Sequence, residues 1–179
     1  MNHRHLTACA LTLGASAAAV AGTALTSGAA QPTTGALHAS AAFVDASGAQ
    51  IGWAELVEDA SGTLHVNVKV DGLSPGVHGI HIHAVGACSP DFAAAGPHHN
   101  PLGVAHGSHA GDLPNLVVNS EGRGHLNATT DEATLSSGPL SVFDADGSAL
   151  VIHAAEDDLV TDPSGNSGTR IACGVIART

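Results

Sequence analysis

The sequence is poor in positive charge. Its 179 residues carry 5 Lys and Arg against 16 Asp and Glu, a formal net charge of −11 with histidine neutral. A domain this acidic repels nucleic acid and anionic membrane as a whole. No basic patch argues otherwise, so no nucleic-acid partner is expected. Tyrosine is absent altogether. Amphipathic helical periodicity is also missing beyond the N-terminal segment, which speaks against a helical bundle. Internal repeats are missing too.

Long apolar runs are confined to one place. "MNHRH" is short and mildly basic, "LTACALTLGASAAAVAGTAL" is apolar and rich in Ala, and "TSGAAQP" follows with small residues. That is the order of a secretory signal over residues 1–30, leaving a domain at 31–179. Ala, Gly, Ser and Thr make a weak membrane span, so no membrane span is expected in the mature chain. Cys9 in "LTAC" precedes the apolar run instead of ending it, which argues against lipid anchoring. The expected location is therefore periplasmic or extracellular. Once Cys9 leaves with the signal, Cys88 and Cys173 remain as an even pair. An oxidising compartment favours a disulfide between them. Closing so long a loop is worth about 4.5 kcal/mol in the chain-entropy account.

What the chain does have is short strands. "TLHVNVKVDG" alternates Leu64, Val66, Val68 and Val70 with His65, Asn67 and Lys69, then turns at Asp71-Gly72. "ALHASAAFVDASG", "AQIGWAELVEDASG", "VHGIHIHAV", "NLVVNSEG", "GHLNATT", "ALVIHA" and "IACGVIA" bring the count to about eight. Many short strands with Gly-rich turns predict an all-β antiparallel sandwich or barrel. Residues 86–114 and 155–170 resist strand assignment. Loops this long in a compact domain are usually functional or disordered. The content of the first, with His98, His99, His106, His109 and Asp112, argues for function.

Histidine is unusually abundant, with 13 copies. Residues i and i+2 of a strand share a face. Ile80 and Ile82 therefore point into the core, and His81 and His83 sit side by side on the other face as a two-point metal clamp. His78 has the parity of the isoleucines and reads as a structural, hydrogen-bonded histidine. His153 supplies a third imidazole from another strand. Imidazole suits copper and zinc, and a nearby carboxylate favours zinc. From composition alone, His98 and His99 are equivalent candidates. His38, His65 and His125 read as surface residues, and Trp53 as a packing or interface residue. The sequon at Asn127 is a match that chance commonly produces.

"GIHIHAVGAC", "AGPHHNP", "HAGDLPN", "LVIHAAEDD" and "GNSGTRIACGVI" together resemble the copper–zinc superoxide dismutase family, in the secreted bacterial style. The resemblance covers nearly the whole mature chain in order. It implies an eight-stranded antiparallel Greek-key β-barrel with two long functional loops. It implies dismutation of superoxide, with one copper and one zinc per chain. Copper would be held by His81, His83, His98 and His153. Zinc would be held by His98, His106, His109 and Asp112, with His98 bridging the two. Asp157 corresponds to a carboxylate that links a copper-ligand histidine to a zinc-ligand histidine. Arg170 corresponds to the arginine beside the copper, and His98 and Arg170 are the expected catalytic residues. Cys88 and Cys173 match the family's disulfide.

Two departures qualify what is carried over. Only Gly107 and Ser108 separate His106 from His109, where the family commonly has a longer segment. That leaves a copper-only dismutase with a degraded zinc site as an alternative, beside a non-catalytic secreted copper- or zinc-binding protein on the same fold. The lack of tyrosine means that a family interface built on tyrosine is not reproduced, although the resemblance leaves room for a homodimer.

Overall fold

The computed structural model describes Met1 and residues 35–179. Apart from Met1, the proposed signal segment, Cys9 included, lies outside the described residues. Ten strands follow in order: β1 Leu37–Asp45, β2 Gln50–Glu58, β3 Leu64–Val70, β4 Gly76–His78, β5 Ile80–His83, β6 Leu116–Val118, β7 Gly124–Thr130, β8 Ala149–His153, β9 Arg170–Val175 and β10 Ala177–Arg178. All pairings between them are antiparallel. One short 3₁₀ turn, Phe92–Ala95, interrupts the first long loop. Among the described residues no helix is long and apolar enough to cross a membrane.

Alternation builds these strands. In β3, Leu64, Val66, Val68 and Val70 are buried while His65 and Lys69 face solvent. Each apolar face turns inward onto one core that includes Phe43, Leu56, Leu64, Ile80, Ile82 and Leu150. The strand path runs β4-β6-β7-β3-β2-β1-β9-β8-β5, with β10 added beside β1. The crossovers β3–β7 and β1–β9 give it Greek-key character.

The expected fold class stands, with ten strands where about eight were expected. Two of the eight runs are broken. "IACGVIA" is interrupted at Ile176, whose N–H turns to Ser148 O at 3.0 Å, before β10 begins. "VHGIHIHAV" is divided at Gly79 into β4, which pairs with β6, and β5, which pairs with β8. β4 and β5 stand at opposite ends of the strand path yet are joined by this single residue, so the barrel closes there. Gly79 N–H donates to Ala155 O at 2.8 Å, and Gly79 O accepts from His153 N at 2.8 Å. A Cβ at Gly79 would come within 2.8 Å of Ser167 Cβ and 3.2 Å of Asp157 Cβ, so only glycine permits this approach.

The free edge of β5 is covered by the first long loop. Ile82 N–H donates to Gly111 O at 2.8 Å, and His99 N–H donates to Ile82 O at 2.8 Å. The loop thereby carries His98 and Asp112 alongside β5, in isolated bridges to His83 and His81. Covering an edge strand in this way satisfies its backbone and blocks further pairing. A second, smaller apolar cluster of Ala95, Ala149, Val151 and Cys173 packs beneath the loop, against Cys88 and Phe92. The Cys88–Cys173 disulfide is formed there, with a Cα–Cα distance of 5.8 Å, and ties the loop to β9.

Candidate metal centre

β5 is buried on both faces, with His81 and His83 fully enclosed. Ile80 and Ile82 enter the barrel core, as their parity requires, and the two histidines face the loops. β8 contributes His153, whose pairing to β9 passes through a register shift at Ile152/His153. Such irregularities re-aim a side chain beside a site. The two long loops close over these rings.

Three overlapping groups result. His81, His83, His98 and His153 place one ligand atom each within 4.8 Å of one another. His98, His106, His109 and Asp112 do the same, as do His81, His106 and Asp157. All seven sequence-predicted ligand residues are thus brought together, and Asp157 joins them. His98, not His99, is shared by the two four-residue groups. His81 and His98 stack with ring centroids 3.9 Å apart.

The short His106–His109 segment does not scatter its side chains. Gly107 takes φ +84°, a left-handed conformation that favours glycine and lets the chain turn in two residues. Asp112 Oδ2 accepts from Gly107 N at 2.7 Å and from His109 N at 3.1 Å. Its carboxylate also lies within 3.3 Å of the Nδ1 atoms of both His106 and His109.

The hydrogen bonds fix which nitrogen each ring offers. His83 Nδ1–H donates to Gly96 O at 2.8 Å, and His153 Nδ1–H donates to Gly168 O at 3.1 Å. His81 Nε2–H donates to Asp157 Oδ2 at 2.6 Å, and His106 Nε2–H donates to Asp157 Oδ1 at 2.9 Å. The opposite nitrogens, His81 Nδ1, His83 Nε2, His153 Nε2 and His106 Nδ1, therefore keep their lone pairs. Of these, His81 Nδ1 and His106 Nδ1 are buried without a hydrogen-bond partner, as is His98 Nε2. His83 Nε2 and His153 Nε2 face each other at 3.4 Å, two acceptors with no proton between them. Buried orphan acceptors are costly, and converging ones fit a cation held between them. The donor set fits the expected metals: four imidazoles on one side, three imidazoles and a carboxylate on the other.

Electrostatics agree with that chemistry. Burial pushes the His81, His83 and His153 rings down from 6.5, to about 3, about 2 and about 4 respectively. They stay neutral and able to ligate well below neutral pH. Burial works against the charge of Asp112, but bonds from His98 and Gly107 prevail and hold its carboxyl at about 2. At Asp157 burial also opposes ionisation, and the His106 and His81 bonds outweigh it.

Arg170 lines a cavity of about 370 Å³ together with His83, His98 and His153. Its Nη1 donates to Phe92 O at 2.6 Å and its Nη2 to Gly96 O at 2.6 Å. Among the described residues it makes no ion pair. Gly96 O accepts from both Arg170 and His83, which couples the cation to a cluster histidine. Burial lowers the guanidinium's pKa, and Asp91 opposes this. His78 is structural, with Nδ1 2.8 Å from His153 O and Nε2 2.9 Å from Ser74 O.

Several supporting residues have no role that the sequence alone assigned. Asn115 clamps Asp157: Nδ2 donates to Asp157 O at 2.8 Å, and Oδ1 accepts from Asp157 N at 2.9 Å. Asp162 Oδ1 accepts from His106 N at 2.7 Å. Gly165, at φ +60°, packs directly on the Asp157 carboxylate. A signal for Asn115 existed in "HAGDLPN", whose last residue had no assigned role.

Comparison with known proteins agrees with this geometry. The family described as copper/zinc superoxide dismutase (SODC) matches residues 51–176. The Superoxide dismutase [Cu-Zn] 2 of Aquifex aeolicus is 42% identical over 149 residues, covering 78% of this chain and 86% of that one. The Superoxide dismutase-like protein YojM of Bacillus subtilis is 40% identical over 143 residues, covering 75% and 73%. The crystal structure of a SOD-like protein from Bacillus subtilis matches with a TM-score of 0.72 and 39% identity, over 76% of this chain and 96% of that one. With the motif order, the barrel and the paired histidine clusters all in agreement, the chain belongs to the copper/zinc superoxide dismutase family.

Proposed function

We propose that the protein dismutates superoxide, 2 O2•− + 2 H+ → O2 + H2O2. Copper would be held by His81 Nδ1, His83 Nε2, His98 Nε2 and His153 Nε2. Zinc would be held by His98, His106, His109 and Asp112, with one of each metal per chain. Copper bound there would supply the redox chemistry that couples the oxidation of one superoxide to the reduction of a second. The observation that supports the reading is His98, which belongs to both four-ligand groups, with Nδ1 2.9 Å from Asp112 Oδ1 and a buried Nε2 that has no hydrogen-bond partner.

His98 Nε2 is the site at which a proton can be held and passed on. It is buried and unpartnered, and His98 is one of the residues lining the cavity that Arg170 also lines. Its Nδ1 is engaged at 2.9 Å with Asp112 Oδ1, which keeps the ring oriented through such a transfer. Arg170 attracts and orients the anion. With its guanidinium braced by two carbonyls, it adds fixed positive charge to a chain of net charge −11.

A second reading is a metal-binding protein without turnover, favoured by the relative named only superoxide dismutase-like. Metal content by mass spectrometry, run beside a superoxide-consumption assay, separates the readings. One copper and one zinc with activity supports the dismutase. Both metals without activity supports the binder, and activity with copper alone supports the copper-only form. The disulfide and the N-terminal sequence support export of the chain to an oxidising compartment.

A further inference from the structure

Two cavities meet at the metal centre, and their charges are opposite. The first, of about 370 Å³, holds His83, His153 and Arg170, and no carboxylate lines it. The second, of about 580 Å³, holds His109, His99, Asp144 and Asp162, and neither Lys nor Arg lines it. Pro97, His98 and Pro163 border both and form the wall between them. The bridging histidine thus has a cationic chamber on its copper-type side and an anionic one toward His109 of its zinc-type side.

The second cavity has an additional ligand-type group. His99 lines it, is only 2% exposed, and has a buried Nε2 with no hydrogen-bond partner. An unpaired imidazole nitrogen on a residue that lines one cavity with two carboxylates suits passing contact with a divalent cation. Asp144 is exposed and does not belong to any of the three ligand groups. Asp162 is exposed as well, and its Oδ1 already accepts from His106 N.

We propose that this second cavity is a cation port, through which Zn2+ reaches and leaves the His98, His106, His109 and Asp112 cluster. Asp144 and Asp162 attract the ion, and His99 Nε2 receives it on the way. The arrangement separates traffic: superoxide is drawn to Arg170 on one side of His98, and zinc passes on the other. It also resolves a conflict, because an anion channel built around a cation is a poor route for Zn2+. The inference rests on assigning zinc to this cluster.

The test is isotope exchange in the purified chain carrying both metals. Zinc-67 is supplied as the free ion, and its replacement of natural zinc is followed by mass spectrometry. Asp144→Asn should slow exchange by roughly threefold and Asp144→Lys by roughly tenfold, with both effects shrinking at high salt. His99→Phe, which keeps ring volume and removes the ligand atom, should slow it as well. Copper exchange should be unchanged in all three variants. Glu121→Gln, outside both cavities, serves as the control. Unchanged zinc exchange in the Asp144 variants, or equal slowing of copper, overturns the port. A purified chain that holds no zinc overturns the zinc assignment itself and the port with it, and is seen before any exchange is measured.

Discussion

Gly165 lies flat against the carboxylate of Asp157. A Cβ at residue 165 would occupy the space of Asp157 Oδ1 and come within 2.6 Å of His106 Nε2. That carboxylate receives bonds from His81 and His106, one from each proposed metal group. The absence of a side chain at 165 is what lets one acid orient both rings.

Gly165→Ala should therefore weaken zinc retention by roughly ten- to a hundredfold, the range for losing an outer partner of a metal ligand. The φ of +60° adds backbone strain of about 1 kcal/mol for alanine. Competition with a zinc chelator measures the affinity. In an Asp157→Ala background the same substitution should cost far less, because the crowded group is gone. Additive losses in the double variant would show that Gly165 does not act through Asp157.

Arg170→Ala should lower kcat/KM for superoxide by roughly tenfold and flatten its dependence on ionic strength. Copper content should be retained. Arg170→Lys should recover only part of the rate, because a single ammonium cannot reproduce the fork that reaches both Phe92 O and Gly96 O. Stopped-flow superoxide decay at several salt concentrations gives the answer. Equal rates in all three proteins would remove the steering role.

The buried histidines predict acid sensitivity of the metal-free chain. Folding lowers His81, His83 and His153 from 6.5, to about 3, 2 and 4. The unfolded chain therefore binds more protons once pH drops below 6.5. The stability from keeping these rings neutral is complete above that value. It is lost as pH falls toward 4, where His153 protonates in the folded chain, with His83 and His81 extending the loss lower. Thermal melting should drop on the order of 10 °C between about pH 7 and pH 5. A flat profile over that range would contradict the burial of these rings.

Replacing both Cys88 and Cys173 with alanine should cost about 2–5 kcal/mol of stability, measured by denaturant unfolding. The damage should spread to the site. The disulfide anchors the loop that supplies Phe92 O and Gly96 O, the acceptors for Arg170 and His83. Copper affinity should fall together with stability.

Much of this was legible in the chain. Alternation placed β3, and parity put His81 and His83 on one face with Ile80 and Ile82 behind them. The split of one expected strand at Gly79 was not legible. Its sequence is continuous, and only the barrel's closure makes β4 and β5 take different partners. Nor was the effect of the short His106–His109 gap. Spacing alone suggested a weakened zinc site. The Gly107 turn and two backbone bonds to Asp112 Oδ2 instead bring both rings to the cluster.

The sequence by itself determined the fold class, the ligand-type residues and the cysteine pair. These depend on local periodicity and on motifs, which are written along the chain. Only the tertiary structure decided which ring nitrogen each histidine offers. That choice rests on Gly96 O, Gly168 O and Asp157, acceptors brought from other segments. Only the tertiary structure, too, set the space beside Asp157 that Gly165 leaves open, and the opposite charges of the two cavities flanking His98. Hydrogen-bond direction, close approach and field are properties of neighbours in space, and residues distant in sequence supply them.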